Sequence, residues 1–148
     1  RCGPGGSGGL IRPAAAGLML LAASAAQAQP APLPVGLFGN MIRSGADGDV
    51  EGVEIRIARR PDGYSARFSY GEGGCDPPVS GVLKADGDRW QFAGTMTDSP
   101  GSPPVAVLFW LRREPGGLRL FASEQTSWIA FSPRGDRLRP LRRPRCLR

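Results

Sequence analysis

Apolar side chains occupy every second position of residues 53–57, and they do so again over residues 64–70. A period of two is typical of β-strands that bury one face and expose the other. Between the two segments, Arg60-Pro61-Asp62-Gly63 places proline and glycine where a tight turn favours them. The pattern therefore predicts a β-hairpin at this point of the chain.

The chain beyond this hairpin predicts further strands. Residues 79–84 and 90–96 form a second predicted hairpin around the turn sequence ADGD at residues 85–88. Residues 105–111 (VAVLFWL) are apolar on both faces, which is typical of a central strand. The remaining predicted strands are residues 118–122, residues 127–131 (SWIAF) and a segment within residues 33–41.

Seven or eight short strands that recur at spacings of about 8–12 residues are typical of an antiparallel sandwich or barrel. Consecutive hairpins favour a meander, and closure into a barrel removes the exposed edges at which sheets aggregate. The predicted fold is therefore all-β: a small antiparallel meander barrel of lipocalin-like architecture, or a compact β-sandwich. This comparison concerns architecture alone and implies no function.

The first 34 residues differ from the rest. Within residues 14–28 (AAAGLMLLAASAAQA), an apolar stretch over residues 14–23 follows Arg12 and is followed by small residues that end on an A-x-A motif. Residues 1–28 are therefore predicted to be a secretory signal segment that is removed. The apolar run is shorter than the roughly 20 residues that span a bilayer. Residues 29–34 (QPAPLP) are predicted to be a Pro-rich linker, followed by a single β domain over residues 35–133. We therefore expect a secreted or periplasmic protein.

Positive charge is concentrated at the C terminus. The chain has 19 Lys and Arg against 13 Asp and Glu, and residues 134–148 alone contain seven arginines and one aspartate. This segment is predicted to be an Arg-rich flexible tail that could contact anionic lipid or glycan. No nucleic-acid partner is expected, given the secretory signal. The candidate contact residues are Arg137, Arg139, Arg142, Arg143 and Arg145.

The chain has no histidine, which excludes Ser-His and Cys-His catalysis and His-ligated metal sites. Two cysteines, Cys75 and Cys146, remain once the signal segment is removed, and neither lies in a C-x-x-C motif. In an oxidising compartment they could form a disulfide that closes a loop of about 70 residues. The alternative is that both stay as thiols or bond between molecules.

Acidic residues cluster in residues 47–51 (DGDVE) and residues 85–88 (ADGD), where turn formation explains them better than calcium binding. We therefore predict no metal and no cofactor. Glu72 and Asp76 share one loop and could supply the carboxylate pair of a small hydrolase. Such pairs also arise by chance among thirteen acids, so the chain is predicted not to be an enzyme.

Trp110 and Trp128 each have an apolar neighbour on the opposite face of the strand, so either indole could be exposed for binding. Together with Glu72 and Asp76 they are the candidate contact residues. The predicted function is non-enzymatic binding of a protein partner, of inhibitor or envelope accessory type, or of a small apolar ligand inside the barrel. The alternatives are binding to an anionic envelope surface through the tail and the carboxylate-dependent hydrolase.

Overall fold

The computed structural model describes residues 29–44, 48–97, 101–129 and 132–147. The predicted signal segment, residues 1–28, lies outside these ranges. Within them, the elements in chain order are β1 (Gly36–Gly39), β2 (Ile42–Ser44), β3 (Asp49–Arg60), β4 (Gly63–Cys75), β5 (Val79–Asp86), β6 (Arg89–Met96), β7 (Val105–Glu114), β8 (Gly117–Ala122), a 3₁₀ helix (Glu124–Ile129) and β9 (Asp136–Pro140). Among the described residues, no helical segment has the length and apolar character of a membrane-spanning helix.

Eight of the strands form a closed antiparallel barrel. Strands β3 to β8 each pair with the next strand along the chain, and β1 lies between β9 and β3 and closes the cylinder. Phe38 in β1 lies opposite Ile55 on one side and Pro140 on the other. The extra strand, β2, pairs with the beginning of β3. The predicted meander barrel is confirmed, including the first hairpin, in which Arg60 lies opposite Gly63.

Aromatic rings fill the inside of the barrel. The rings of Phe92 and Phe109 are stacked with their centroids 4.4 Å apart, and Phe68 lies 5.0 Å from Phe109. All three are fully buried. Gly81 and Gly94 leave the space that the Phe92 ring occupies, because a Cβ at either position would meet that ring. Small barrels whose interiors are filled by side chains in this way gain a packed core.

Residues 127–131 were expected to form a strand, and this prediction is wrong for the part that the structure describes. Glu124–Ile129 is a 3₁₀ helix. The hydroxyls of Ser123 and Thr126 lie 2.7 Å apart, and the Thr126 hydroxyl donates to the carbonyl oxygen of Leu108. Such local side-chain hydrogen bonds compete with strand pairing. Ile129 is buried in the core.

The prediction of a flexible tail is also wrong, because Asp136–Pro140 forms β9, which lies between β8 and β1 and pairs with both. Leu138 lies opposite Leu118, and both are fully buried. One apolar residue among many arginines was too weak a pattern to predict a strand. The folded domain therefore continues past residue 133.

Residues 29–34 are likewise more than a linker. Leu33 is buried in the core, and the carbonyl oxygen of Ala31 accepts a 2.9 Å hydrogen bond from Nε1 of Trp90. The carbonyl oxygen of Pro32 accepts from the Arg113 guanidinium. These contacts fix the segment against the barrel before β1 begins.

Candidate functional site

A pocket of about 320 Å³ opens at the end of the barrel where β4, β6, β7 and the 3₁₀ helix come together. We call it the mouth pocket. It brings together Glu72, Asp76 and Trp128, three of the four residues predicted as ligand or partner contacts. The other lining residues are Tyr70, Met96 and Val105.

Aromatic and aliphatic side chains form one part of the mouth pocket. Trp128 packs edge-on against Tyr70, with ring centroids 5.5 Å apart. Tyr70 is buried, but Trp128 and Val105 are 37% and 39% exposed. Thr126, two residues before Trp128, donates to the Leu108 carbonyl oxygen, and Ile129, the residue after it, is buried, so the backbone on both sides of Trp128 is anchored. A large apolar surface is thus presented to solvent on a fixed turn.

The acidic part of the pocket comes from the end of β4 and the loop after it. The Asp76 N–H donates to the Tyr70 carbonyl oxygen at 2.8 Å, and the Ser69 hydroxyl donates to the Asp76 carbonyl oxygen at 3.0 Å. These bonds fold the loop back over β4. Glu72 is exposed and lies opposite Glu51 in the β3–β4 register, so negative charge accumulates at this edge.

The surroundings of Tyr70 change the pKa of its phenol. Burial raises the pKa of Tyr70, and the negative charges of Glu72, Asp76 and Glu51 raise it further. The hydroxyl lies 3.4 Å from Glu72 Oε2, toward which it donates. The phenol therefore stays protonated and remains a hydrogen-bond donor at neutral pH.

Trp110 does not line the mouth pocket. It lies on the outer face of β7, half-buried, and its indole Nε1 donates to Asp86 Oδ2 at 2.7 Å. The indole of Trp110 thus has a structural partner on the neighbouring hairpin.

The five arginines predicted for anionic contacts are all exposed, but they are held by the fold. Arg137 and Arg139 lie on the outer side of β9, and Arg137 donates to the Pro115 carbonyl oxygen at 2.8 Å. Arg142, Arg143 and Arg145 belong to residues 141–147, which we call the C-terminal strap.

The C-terminal strap is held by a buried carboxylate on the outer side of β3. Glu54 Oε1 accepts the backbone N–H of Arg145 at 2.7 Å, and Oε2 accepts those of Cys146 and Leu147 at 2.8 and 3.0 Å. The disulfide between Cys75 and Cys146 joins the strap to the end of β4. The intramolecular pairing considered from the sequence is confirmed.

Sequence reasoning did not predict Tyr70, Met96 and Val105 as part of a site. Alternation placed Tyr70 and Met96 on the inner face, which near the barrel end borders the opening. Glu54 was missed as an anchor because it occupies a polar position of an alternating strand, and such positions are normally solvated. Proximity to a strand end was the one available signal for the pocket residues.

Comparison of the chain with protein-family models, with curated proteins and with solved structures gives no match. The function is therefore argued from the geometry of the mouth pocket and of the outer surface.

Proposed function

We propose that this protein is a non-enzymatic binding domain that acts outside the cytoplasm and recognises a partner protein at the mouth pocket. The partner inserts a basic side chain, lysine or arginine, from an apolar segment. The observation that carries this proposal is the exposure of Trp128 and Val105 directly beside the acidic residues Glu72 and Asp76.

The chemistry of the lining supports a basic side chain as the inserted group. The alkyl part of lysine or arginine packs on apolar surface while its charged end reaches polar groups. Val105 and Met96 provide apolar surface, and Glu72 and Asp76 provide negative charge within the same pocket. A cation near an indole face gains about 0.5–2 kcal/mol. A volume of about 320 Å³ is large enough to admit a lysine or arginine side chain.

A partner at the surface is favoured over a small apolar ligand inside the barrel. Phe68, Phe92 and Phe109 occupy the interior and contact one another. An internal ligand would have to displace these rings and give up their packing, at a cost of several kcal/mol.

The Cys75–Cys146 disulfide is consistent with an oxidising compartment, where such bonds persist. Secretion or periplasmic location remains part of the proposal, together with the predicted signal segment.

The hydrolase alternative is supported by one observation, that Glu72 and Asp76 line the same pocket.

The test compares two short blocked peptides, one with lysine and one with norleucine between two leucines. Binding to isotope-labelled protein is followed through the Trp128 indole and the Val105 methyl signals. The lysine peptide is expected to shift these signals and to bind about tenfold more tightly than the norleucine peptide. Glu72→Gln combined with Asp76→Asn is expected to abolish the difference.

Trp110→Phe is the matched control, because Trp110 does not line the pocket, and it should leave peptide binding unchanged. Equal affinity of the two peptides, or full binding by the Glu72→Gln/Asp76→Asn variant, would show that the pocket does not recognise a cation.

A further inference from the structure

A second surface lies on the outer face of β3, β4 and β5, and it shares no lining residue with the mouth pocket. It is a shallow cleft of about 450 Å³ in which Arg56, Arg60 and Arg67 lie beside Ser65 and Ser80. We call it the basic face. Arg56 and Arg67 are exposed and lie directly opposite each other in the β3–β4 register.

Two like charges at directly opposite positions of antiparallel strands destabilise the sheet. In the part of the chain that the structure describes, neither Arg56 nor Arg67 forms an ion pair with a carboxylate. Arg60 has Asp62 at 3.7 Å, where both side chains are largely exposed. Among the described residues, the fold therefore holds the guanidinium groups of Arg56 and Arg67 on one face with no carboxylate in an ion pair with either.

The acidic residue nearest to Arg56 in the sequence of β3 forms no ion pair with an arginine of the basic face among the described residues. Glu54, two positions before Arg56, is fully buried and is occupied by three backbone N–H groups of the C-terminal strap. That contact brings the strap, with Arg145, close to the same end of the face. Arg145 is exposed, and its backbone N–H lies 2.7 Å from Glu54 Oε1.

The basic face also provides hydroxyls and a length suited to a chain-like ligand. Ser80 lies opposite Arg67, and Ser65 lies opposite Val82, which is 44% exposed. From Arg56 to Arg60 the strand rises about 13 Å, which exceeds the width of one sulfate or carboxylate group. Lys84 follows Val82 on the same side of β5.

We propose that the basic face binds an acidic polysaccharide, a sugar chain that carries sulfate or carboxylate groups. Guanidinium groups form paired hydrogen bonds with such multi-oxygen anions, and serine hydroxyls can bond to sugar hydroxyls. A lipid bilayer fits less well, because membrane-bound surfaces insert several large apolar side chains. Val82 is the one large apolar side chain with high exposure among the described residues that line this cleft.

The test uses the mature, disulfide-bonded protein and two probes, a heparin hexasaccharide and an oligogalacturonate of similar length. Isothermal titration calorimetry is expected to detect binding of at least one probe and a decrease in affinity with salt. Arg56→Gln combined with Arg67→Gln is expected to weaken that binding about tenfold. The same variant should unfold at an equal or higher temperature, since it relieves a like-charge contact.

The matched control is Arg43→Gln combined with Arg134→Gln, which removes the same charge from two exposed residues outside the cleft. It is expected to weaken binding no more than about twofold. Equal losses in the two variants would overturn the proposal in favour of non-specific attraction. Absence of binding to both probes would overturn it too.

The basic face and the mouth pocket are tested separately. Glu72→Gln/Asp76→Asn alters the mouth pocket and is expected not to weaken polysaccharide binding. Failure of the peptide test therefore leaves the polysaccharide proposal standing, and the reverse also holds.

Discussion

The carboxylate of Glu54 accepts the backbone N–H of Cys146 at 2.8 Å, although 92 residues separate them in the chain. The same carboxylate binds the N–H groups on either side, so one buried side chain satisfies three consecutive donors. Leu147, the last of these three donors, is only 2% exposed. The C-terminal strap is therefore part of the folded domain, fixed by a carboxylate as well as by the disulfide.

Glu54→Ala is expected to lower the free energy of unfolding by about 3 kcal/mol, because it leaves backbone donors of the strap without their charged acceptor. Urea denaturation measures the change. The control is Glu124→Ala, which removes an exposed carboxylate and should change the free energy by less than about 0.5 kcal/mol. Equal effects of the two substitutions would contradict the anchoring role of Glu54.

Replacing both Cys75 and Cys146 by serine is expected to cost about 4 kcal/mol, since the bond closes a loop of about 70 residues in the unfolded chain. Urea denaturation of this variant, with and without Glu54→Ala, forms a double-mutant cycle. We expect the two changes to be non-additive, because both release the same strap. Strict additivity would show that the disulfide and Glu54 hold it independently.

Truncation after Pro133 is expected to abolish cooperative unfolding, because it deletes β9 and leaves β8 and β1 without their shared neighbour. Leu118 would lose its cross-strand contact with Leu138. Truncation after Pro144 is the control: it retains β9 and should keep a native circular dichroism spectrum at reduced stability. A cooperative transition after truncation at Pro133 would contradict the role of β9 in closure.

Gly81→Ala is expected to destabilise the barrel by about 2 kcal/mol. Its Cβ would collide with the Ala93 carbonyl oxygen and would lie 2.7 Å from the Phe92 ring. Gly74→Ala is the matched control, because a Cβ there has no neighbour within 4 Å among the described residues. Thermal unfolding should separate the two variants, and similar midpoints would show that the Phe92 ring can move aside.

Tyr70 is expected to ionise at higher pH in the folded protein than in the unfolded chain, because burial and nearby carboxylates raise its pKa; a spectrophotometric titration measures the difference. A pKa raised by folding stabilises the protein below the unfolded value, and this contribution is lost as pH rises through the folded value. Glu72→Gln should lower the Tyr70 pKa toward its ordinary value. Tyr70→Phe identifies the signal, and an unchanged titration in Glu72→Gln would exclude the charge effect.

The candidate site was predicted in part. Glu72, Asp76 and Trp128 were selected by residue type, and they do line one pocket, but nothing local indicated that Trp128 lies beside Tyr70. Trp110 was selected by the same reasoning and lies on the outer wall, bonded to Asp86. Both outcomes depend on how a 3₁₀ helix and a neighbouring hairpin pack, which a periodic pattern does not encode.

The strands of the central hairpins and the inner face of each are evident from the amino-acid sequence, because alternation with a period of two is a local property of a strand. That Asp136–Pro140 lies between β8 and β1 is evident only from the folded chain. The same holds for Glu54, whose carboxylate binds the C-terminal strap. Closure and burial of a charge both depend on contacts between residues far apart in the chain, so no local pattern contains them.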